Sequence, residues 1–333
     1  MSDRKFEWLE VLRGFAALWV LLHHGLQSVN HFLQPHGPSP LVANGYLGVD
    51  FFFVLSGFII AFSALRLSER GGGLPEYLQA RLVRIYVPYL PVGVGMVVLY
   101  LMLPGLSEGG RTPSLLTSLT LLPTNSPPAL SVAWTLVHEM VFYAVFSLWF
   151  LSRRLLWILM ATWIASILFI LANDVELTRF QRYFFSPLNL YFVLGVGLMH
   201  LMQRITIGGG SALLLSVVGV FLVGYEAMDQ EPDRLVVGIG FALLVLAAAS
   251  AAASSLKIWS WALKLGAASY AIYLVHNPVL SMAMRILKRV APGTSPWLGL
   301  LIIGSIALAS GLLYWWLYER HALRWVRSRL AQR

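Results

Sequence analysis

The stretch of sequence that decides the fold is residues 9–29, LEVLRGFAALWVLLHHGLQSV. Its length suits a membrane helix, because about twenty apolar residues are needed to cross the ~30 Å hydrocarbon core. Arg13 and His24 stand inside this stretch, although ionisable side chains within a membrane helix are costly. Eleven residues separate them, so a helix places both side chains on one face, roughly 16 Å apart. The sequence therefore predicts a membrane helix that carries a functional pair.

The composition of the whole chain also indicates a membrane protein. The 333 residues are 58% apolar and only 12% charged, and the mean hydropathy is +0.72. These values are typical of multi-spanning proteins, and no long polar stretch predicts a separate soluble domain, so we expect one membrane domain over residues 1–333. The absence of cysteine excludes disulfides and thiolate catalysis.

Hydropathy divides the chain into ten apolar windows of membrane-spanning length, which predict an all-α polytopic protein. These windows are residues 9–29, 46–65, 84–103, 132–151, 155–172, 187–203, 211–226, 234–252, 265–285 and 297–317. Arg4 and Lys5 precede the first window, which lacks a small-residue cleavage site, so we expect a retained helix rather than a signal peptide.

The distribution of basic residues predicts the orientation. With the N-terminus in the cytoplasm, sixteen of the 24 basic residues fall on the cytoplasmic side, as the positive-inside rule requires. About ten crossings with both termini cytoplasmic follow. Topology and contact with anionic lipids then explain most of the net charge of +9, which gives no reason to expect nucleic-acid binding.

The segment 104–131 does not resemble an ordinary loop. It is long, it is apolar over residues 115–122, and Pro123, Pro127 and Pro128 prevent a continuous helix. We expect a re-entrant or interfacial segment.

The first window permits two interpretations of its polar residues. By position alone, Arg13 is equally consistent with a topological anchor that extends to the membrane interface. His24 favours function, because an imidazole accepts a hydroxyl proton near neutrality, whereas a structural histidine at that depth only needs a hydrogen-bond partner. His23 points about 100° away and is the weaker candidate.

Two carboxylates are candidates for orienting this pair. Glu139 shares one helix face with Thr135 and Tyr143, and we expect it to orient His24 or to form a buried pair with Arg13, which would be purely structural. Asp50 begins the second window, where it either caps the helix or holds the imidazole.

Two further groups carry candidate ligand contacts. Ser269, Tyr273 and His276 fall at i, i+4 and i+7 and form a polar stripe just before Pro278, a predicted kink. His276 fits substrate binding and a structural bundle histidine equally well. On the cytoplasmic side an arginine cluster suits the phosphates of a cytosolic anion or of lipid head groups. Its members are Arg66, Arg70, Arg81 and Arg84.

These motifs together resemble integral-membrane acyltransferase family 3. They are Arg13 with His24, GVDFFFVLSGF over residues 48–58, Arg81-x-x-Arg84, Trp134-Thr135 with Glu139 and Tyr143, and Ser269-Tyr270-x-x-Tyr273-Leu274-x-His276. They occur in order from the first to the ninth window, and the count of ten helices agrees.

The resemblance implies a membrane O-acyltransferase of the bacterial cytoplasmic (inner) membrane. Family members take an acyl group, commonly acetyl, from cytosolic acyl-CoA and place it on hydroxyls of surface sugars. It implies His24 and Arg13 as catalytic residues, and Arg81 with Arg84 as contacts of the acyl-CoA phosphates. The chain resembles the stand-alone exopolysaccharide-modifying branch, without the extra esterase-like domain. We expect acyl-CoA, a surface or lipid-linked glycan and membrane lipids as partners, and no metal.

The chemistry of the residues is compatible with that activity. His24 as base would activate a sugar hydroxyl, or it would carry the acyl group transiently, while Glu139 or Asp50 holds the imidazole. Tyr143, Tyr273 and Ser269 are candidate donors to the oxyanion, and Trp134 is a further candidate substrate contact.

A proton-coupled transporter or lipid-linked glycan flippase is the alternative, since intramembrane His, Glu and Arg also build proton relays. It would predict broken helices in two related halves, and the sequence shows no such internal symmetry.

Overall fold

The computed structural model describes residues 7–33, 39–103, 112–250 and 256–332, and these residues contain α-helices and no strand. The all-α fold class predicted from the hydropathy is therefore confirmed. Fourteen α-helices occur in these ranges: α1 Glu7–Phe32, α2 Pro40–Ala43, α3 Leu47–Glu69, α4 Leu74–Met102, α5 Leu115–Thr120, α6 Trp134–Phe146, α7 Arg153–Ala172, α8 Arg179–Phe185, α9 Leu188–Met202, α10 Gly209–Ala227, α11 Arg234–Ala248, α12 Ser260–Val290, α13 Pro296–Tyr314 and α14 Arg320–Leu330.

The helices have the length and apolar surface of a polytopic membrane protein. Within the described ranges, seven helical segments are long and apolar enough to cross a membrane: Pro40–Glu69, Leu74–Met102, Ser131–Phe150, Arg153–Ala172, Arg179–Met202, Gly209–Ala227 and Pro296–Leu330. Large apolar side chains point outward from them; Leu213, Phe221 and Leu301 are each about two-thirds exposed. Such a surface suits hydrocarbon rather than water.

A helix covers the greater part of every predicted window, but three of these helices are not among the seven candidate spans. Helix α11 has only 15 residues. Helices α1 and α12 are long enough, but both carry charged side chains, including Glu10 and Arg13 in α1 and Arg285 in α12. The number of crossings and the side of each terminus stay predictions. Arg4 and Lys5, on which the orientation partly depends, lie outside the described residues.

The chain packs into two compact units, each made of two stretches of sequence. The first unit contains Met1–Phe58 and Leu194–Leu317, and the second contains Ile59–Val193 and Tyr318–Arg333. The boundaries therefore fall inside α3 and α9 and within a π-helical segment, Trp315–Glu319, that joins α13 to α14. That the whole chain acts as a single domain stays a prediction.

Helices α1, α12 and α13 form the core of the first unit. Leu21 of α1, Ile272 of α12 and Ile303 of α13 belong to one buried apolar cluster. Two glycines let α1 and α12 approach closely: a Cβ atom at Gly14 would lie 2.8 Å from the backbone nitrogen of Gly266. Small residues at a crossing point are the usual means of packing membrane helices. Helix α12 runs through Pro278, and the kink predicted there stays a prediction.

Aromatic stacking holds the second unit together. The ring of Phe142 in α6 stacks on Phe192 in α9, with centroids 4.4 Å apart. Phe146, one turn further along α6, stacks on Trp149 with centroids 5.8 Å apart. Stacked rings of this kind contribute about 0.5–1.5 kcal/mol per pair beyond their buried area. The unit thus has its own apolar core.

The described part of the segment 104–131 contains one short helix, and residues 104–111 lie outside the described residues. Ser114 caps α5 by accepting a hydrogen bond from the backbone of Thr117, and the helix ends where Leu121 takes a left-handed conformation with φ of 54°. The hydroxyl of Tyr89 in α4 donates to the carbonyl of Ser118 at 2.6 Å. The six residues of α5 are too few to span a membrane. Its re-entrant or interfacial position stays a prediction.

Candidate active site

In the first unit, α1 and α12 bring Arg13 together with Ser269. The Nε of Arg13 donates to the hydroxyl oxygen of Ser269 at 2.8 Å, and its Nη2 donates to the carbonyl of Gly266 at 2.8 Å. The carboxylate of Glu10 lies 4.0 Å from the guanidinium, and the Arg13 side chain is 24% exposed. Arg13 is therefore fixed against α12 by two charge-assisted hydrogen bonds rather than extended toward an interface.

The same two helices bring His24 together with His276. The Nε2 of His276 lies 3.3 Å from the Nδ1 of His24. The Nδ1 of His24 is also 3.0 Å from the carbonyl oxygen of Val20. His276 is only 1% exposed, whereas the imidazole of His24 is half-buried. The stripe predicted on α12 therefore faces the pair predicted on α1.

His23 has a structural environment. Its Nδ1 lies 2.5 Å from the carbonyl oxygen of Ala43, and its Nε2 lies 3.0 Å from the side-chain nitrogen of Gln27. Both ring nitrogens are therefore engaged, which leaves none to accept a proton from a substrate. This geometry agrees with the choice of His24 over His23 that the helix periodicity indicated.

Two other predicted residues, Tyr273 and Asp50, also belong to the first unit. The ring of Tyr273 packs against Phe52 and His276, with centroids 5.9 Å and 5.7 Å apart. Asp50 is buried in the first turn of α3, and its Oδ2 lies 3.9 Å from the Nε of Arg234. Within this unit, the side chain that contacts the imidazole nitrogen of His24 is His276, so an orienting role for Asp50 stays a prediction.

In the second unit, the two arginines of the R-x-x-R motif lie on α4. The Nη1 of Arg84 donates to the Oε1 of Glu319 at 3.0 Å, and the Glu319 side chain is only 2% exposed. The Nη2 of Arg81 donates to the hydroxyl of Ser63. Its Nε is buried and has no hydrogen-bond partner among the described residues. A donor so placed is available to a ligand oxygen.

Arg327 of α14 joins these arginines. It lies close enough to Arg81, Arg84 and Glu319 to interact with all three electrostatically. Taken together, these three arginines and the Glu319 carboxylate carry a surplus of positive charge. The sequence prediction missed both Glu319 and Arg327. One available signal was that Glu319 is the only acidic residue after residue 295.

Arg66 and Arg70, the other two predicted arginines, lie toward the end of α3. Arg66 is 3.4 Å from Glu69, and its guanidinium lies 5.5 Å from the ring centroid of Phe62. Arg70 is exposed just beyond the last residue of the helix. Their part in holding an anion stays a prediction.

Glu139 belongs to the second unit. It accepts a hydrogen bond of 2.5 Å from the hydroxyl of Tyr143, one turn along α6, so these two residues share a face as the spacing predicted. Glu139 and Arg81 both interact electrostatically with Tyr77 and with Tyr143. The predicted pairing of Glu139 with Arg13 or His24 stays a prediction.

Trp134 begins α6. Its ring meets the buried imidazole of His138 edge-on, with centroids 5.6 Å apart. His138 in turn lies 3.1 Å from the side-chain oxygen of Asn189. In the part of the chain that the structure describes, no three His, Cys, Asp or Glu side chains approach one another as metal ligands would.

A family model decides where the chain belongs. The model of the acyltransferase domain of family 3 matches residues 6–316, nearly the whole chain. The chain belongs to integral-membrane acyltransferase family 3. The resemblance that the motifs indicated is thereby confirmed, and this family 3 protein is an acyltransferase.

The matches to two relatives extend over nearly the full length of both proteins. The exopolysaccharide production protein ExoZ of Rhizobium meliloti (strain 1021) is 29% identical over 308 residues, which cover 86% of this chain and 92% of ExoZ. The acyltransferase MdmB of Streptomyces mycarofaciens is 26% identical over 346 residues, covering 91% of this chain and 88% of MdmB. Protein 2 in the picA locus of Rhizobium radiobacter is 31% identical over 166 residues, covering 44% of this chain and 82% of that protein. No solved structure gives a significant match.

Proposed function

We propose that this acyltransferase moves an acyl group, acetyl in the first instance, from cytosolic acyl-CoA to a hydroxyl of an extracytoplasmic exopolysaccharide or lipid-linked glycan. The observation that carries the proposal is the pair of polar contacts between α1 and α12, Arg13 with Ser269 and His24 with His276. Buried ionisable groups within membrane helices are costly and are typical of functional sites. The likeness to ExoZ, whose name refers to exopolysaccharide production, favours a glycan acceptor.

His24 acts as the general base in this proposal. It removes the proton of the sugar hydroxyl as the oxygen attacks the thioester carbon, the carbon–sulfur bond breaks, and the CoA thiolate takes up the proton. A transient acyl-histidine would give the same products. Arg13 is held by Ser269 and the Gly266 carbonyl about three helical turns from His24, so in this proposal its positive charge contacts the donor away from the reacting carbon.

The arginine cluster of the second unit holds the phosphates of the donor. Arg81, Arg84 and Arg327 carry three positive charges, and the carboxylate of Glu319 among them carries one negative charge. Guanidinium groups suit phosphate oxygens geometrically. The hydrogen bond from Arg84 to Glu319 keeps the Arg84 side chain in place, and the buried Nε of Arg81 has no hydrogen-bond partner among the described residues. Anionic lipid head groups share this chemistry, and the binding test below separates the two.

Such a reaction needs a donor on the cytoplasmic side and an acceptor outside. We therefore propose ten crossings with both termini cytoplasmic, in a bacterial cytoplasmic membrane. Reporter fusions after residues 33, 173 and 291 should be active outside, and fusions after residues 70, 205 and 330 inside. The opposite pattern would contradict the orientation.

The decisive test of catalysis is His24→Ala, assayed with labelled acetyl-CoA and a surface glycan on purified protein. We expect transfer to be abolished while insertion and thermal stability are retained. His31→Ala is the matched control, because His31 is an exposed histidine of the same helix. Retained transfer by His24→Ala would reject the role of His24 as general base. Substrate movement in proteoliposomes without any transfer would favour the alternative, a transporter.

The donor site is tested by Arg327→Ala with Arg329→Ala as the control, because both residues lie on α14 and Arg329 packs on Trp325. Loss of one charged hydrogen bond, about 1.5–3 kcal/mol, corresponds to roughly 10- to 150-fold weaker acetyl-CoA binding. Titrations in micelles with and without phosphatidylglycerol show whether lipid competes. Equal affinities of the two variants would remove Arg327 from the site.

A further inference from the structure

We propose that His276 is a positioning residue, which fixes the tautomer and orientation of His24 so that the Nε2 of His24 is the nitrogen that accepts the proton of the acceptor hydroxyl. The inference rests on the proposed role of His24. It concerns a direct contact between α1 and α12 of the first unit.

Backbone carbonyls fix the tautomer of His276. Its Nδ1 lies 3.1 Å from the carbonyl oxygen of Ile272 and 2.8 Å from that of Tyr273. Carbonyl oxygens only accept hydrogen bonds, so Nδ1 must carry the hydrogen. In a neutral imidazole the other nitrogen then has the lone pair. The Nε2 of His276 is therefore a hydrogen-bond acceptor that points at His24. The tautomer is assigned from these partners.

The acceptor on His276 helps to determine the tautomer of His24. The Nδ1 of His24 has two neighbours, the Nε2 of His276 at 3.3 Å and the carbonyl oxygen of Val20 at 3.0 Å. Both are acceptors, so the Nδ1 of His24 must be the donor. The hydrogen is shared between the two acceptors. The lone pair of His24 is thus on Nε2, which has no hydrogen-bond partner among the described residues of the first unit.

The tautomer of His24 decides whether this residue can act as the base. A general base works only when its lone pair points at the proton it removes. If His24 took the opposite tautomer, its Nε2 would carry hydrogen and the base would be lost. Once His24 is protonated, its Nδ1–H still donates to two acceptors, which stabilise the charged imidazole. His276 thereby does for His24 what a carboxylate does in a serine-protease triad.

His276 is unsuited to the substrate contact that its place in the polar stripe suggested. It is 1% exposed, and both of its nitrogens are engaged within the helix pair. No ring nitrogen of His276 remains to donate a hydrogen bond to a sugar hydroxyl or to accept one from it. Its position on the rigid α12, anchored by two carbonyls of the same helix, is suited to orienting a neighbour.

Substitution of His276 by Gln or by Asn tests the roles of its two ring nitrogens separately. His276→Gln places an amide oxygen near the position of Nε2, so it retains the acceptor that faces His24. His276→Asn places an amide nitrogen near the position of Nδ1, so it retains the bond to the Ile272 and Tyr273 carbonyls but loses that acceptor. Both residues are polar and close in size, which makes each variant the folding control of the other.

We expect the kcat of His276→Asn to fall about 10- to 100-fold, below the roughly 10⁴-fold cost of losing an orienting carboxylate, because the carbonyl of Val20 still accepts from His24. His276→Gln should retain kcat within about fivefold. The KM for acetyl-CoA should stay within about twofold in both variants, because the donor's phosphates are bound elsewhere. A merely structural role would lower thermal stability and kcat together, without this split.

An independent readout is ¹⁵N NMR of histidine-labelled protein in bilayers, with His24→Ala used to assign the His24 signals. The wild type should show hydrogen on Nδ1 of His24, and His276→Asn should show a mixture of tautomers. Hydrogen on Nε2 of His24 in the wild type, or a kcat of His276→Asn equal to or above that of His276→Gln, would overturn the inference. If His24→Ala itself retains transfer, the proposed function fails instead.

Discussion

The contact between Arg13 and Ser269 allows a quantitative test of the α1–α12 packing. The perturbation is a double-mutant cycle of Arg13→Met, Ser269→Ala and the combined variant. Methionine keeps an unbranched apolar stem in place of arginine, and alanine removes only the hydroxyl. The two single variants each break the 2.8 Å hydrogen bond from the Nε of Arg13 to Ser269, so the cycle isolates the energy of that bond.

Two magnitudes compete in setting the expected coupling. A hydrogen bond to a charged group contributes about 1.5–3 kcal/mol in soluble proteins. Between membrane helices the measured coupling averages about 0.6 kcal/mol and reaches about 1.7, because the unfolded helices also find partners in the membrane. Ser269 is 1% exposed and its partner is charged, which favours the upper part of the second range. We expect a coupling of about 1–1.7 kcal/mol.

The assay is reversible unfolding of the four proteins in mixed micelles titrated with denaturing detergent. Arg285→Met combined with Ser269→Ala is the control cycle, because sixteen residues on one helix separate these side chains by roughly 24 Å. The control pair should be additive within about 0.3–0.5 kcal/mol. A coupling below about 0.3 kcal/mol for Arg13 with Ser269 would refute the view that this bond holds α1 against α12.

Three further outcomes follow from buried contacts, each measured by thermal unfolding of the purified variant. Gly266→Ala places a methyl group against the backbone of α1 and should destabilise the protein by about 1–3 kcal/mol. Gly224→Ala is the control, because its methyl group meets open space on α10, and it should not destabilise the protein. Equal effects of the two substitutions would contradict close packing of α1 against α12. Glu319→Gln weakens the 3.0 Å bond to Arg84 and should cost about 1.5–3 kcal/mol, and an unchanged melting temperature would show that the bond is not formed. Tyr89→Phe leaves a carbonyl of α5 without its donor and should cost about 1–2 kcal/mol; a neutral result would mean that water satisfies this carbonyl.

The periodicity of single helices correctly predicted which of these side chains share a face. Arg13 and His24 were expected on one face of the first helix, and Ser269 with His276 on one face of a later helix. The structure agrees, because Arg13 bonds Ser269 and His24 contacts His276. Side chains at fixed spacings on one helix share a face whatever the helix packs against. The same reasoning selected His24 over His23.

Pairing between helices could be inferred only from charge. Acidic residues were chosen as partners of His24 from charge alone, yet the group that contacts its Nδ1 in the first unit is the imidazole of His276. Asp50 lies near Arg234, and its orienting role toward His24 stays a prediction. Charge complementarity states which residue types attract one another, but it does not state which helices are neighbours.

The sequence by itself determined the fold class and the membrane character of this protein. Apolar windows of about twenty residues permit few structures other than bundled helices, because hydrocarbon offers no partners for backbone amides. It also determined which residues share a face, since that depends only on the helical repeat.

Only the tertiary structure decided which faces meet. Arg13 and Ser269 are 256 positions apart in sequence, and Arg84 and Glu319 are 235 apart. Hydropathy is nearly uniform along such helices and does not encode their neighbours. Their neighbours are decided by the shapes of the surfaces, as where Gly14 meets Gly266, because close contact and hydrogen bonding, rather than a difference in hydrophobicity, drive helices together in a membrane.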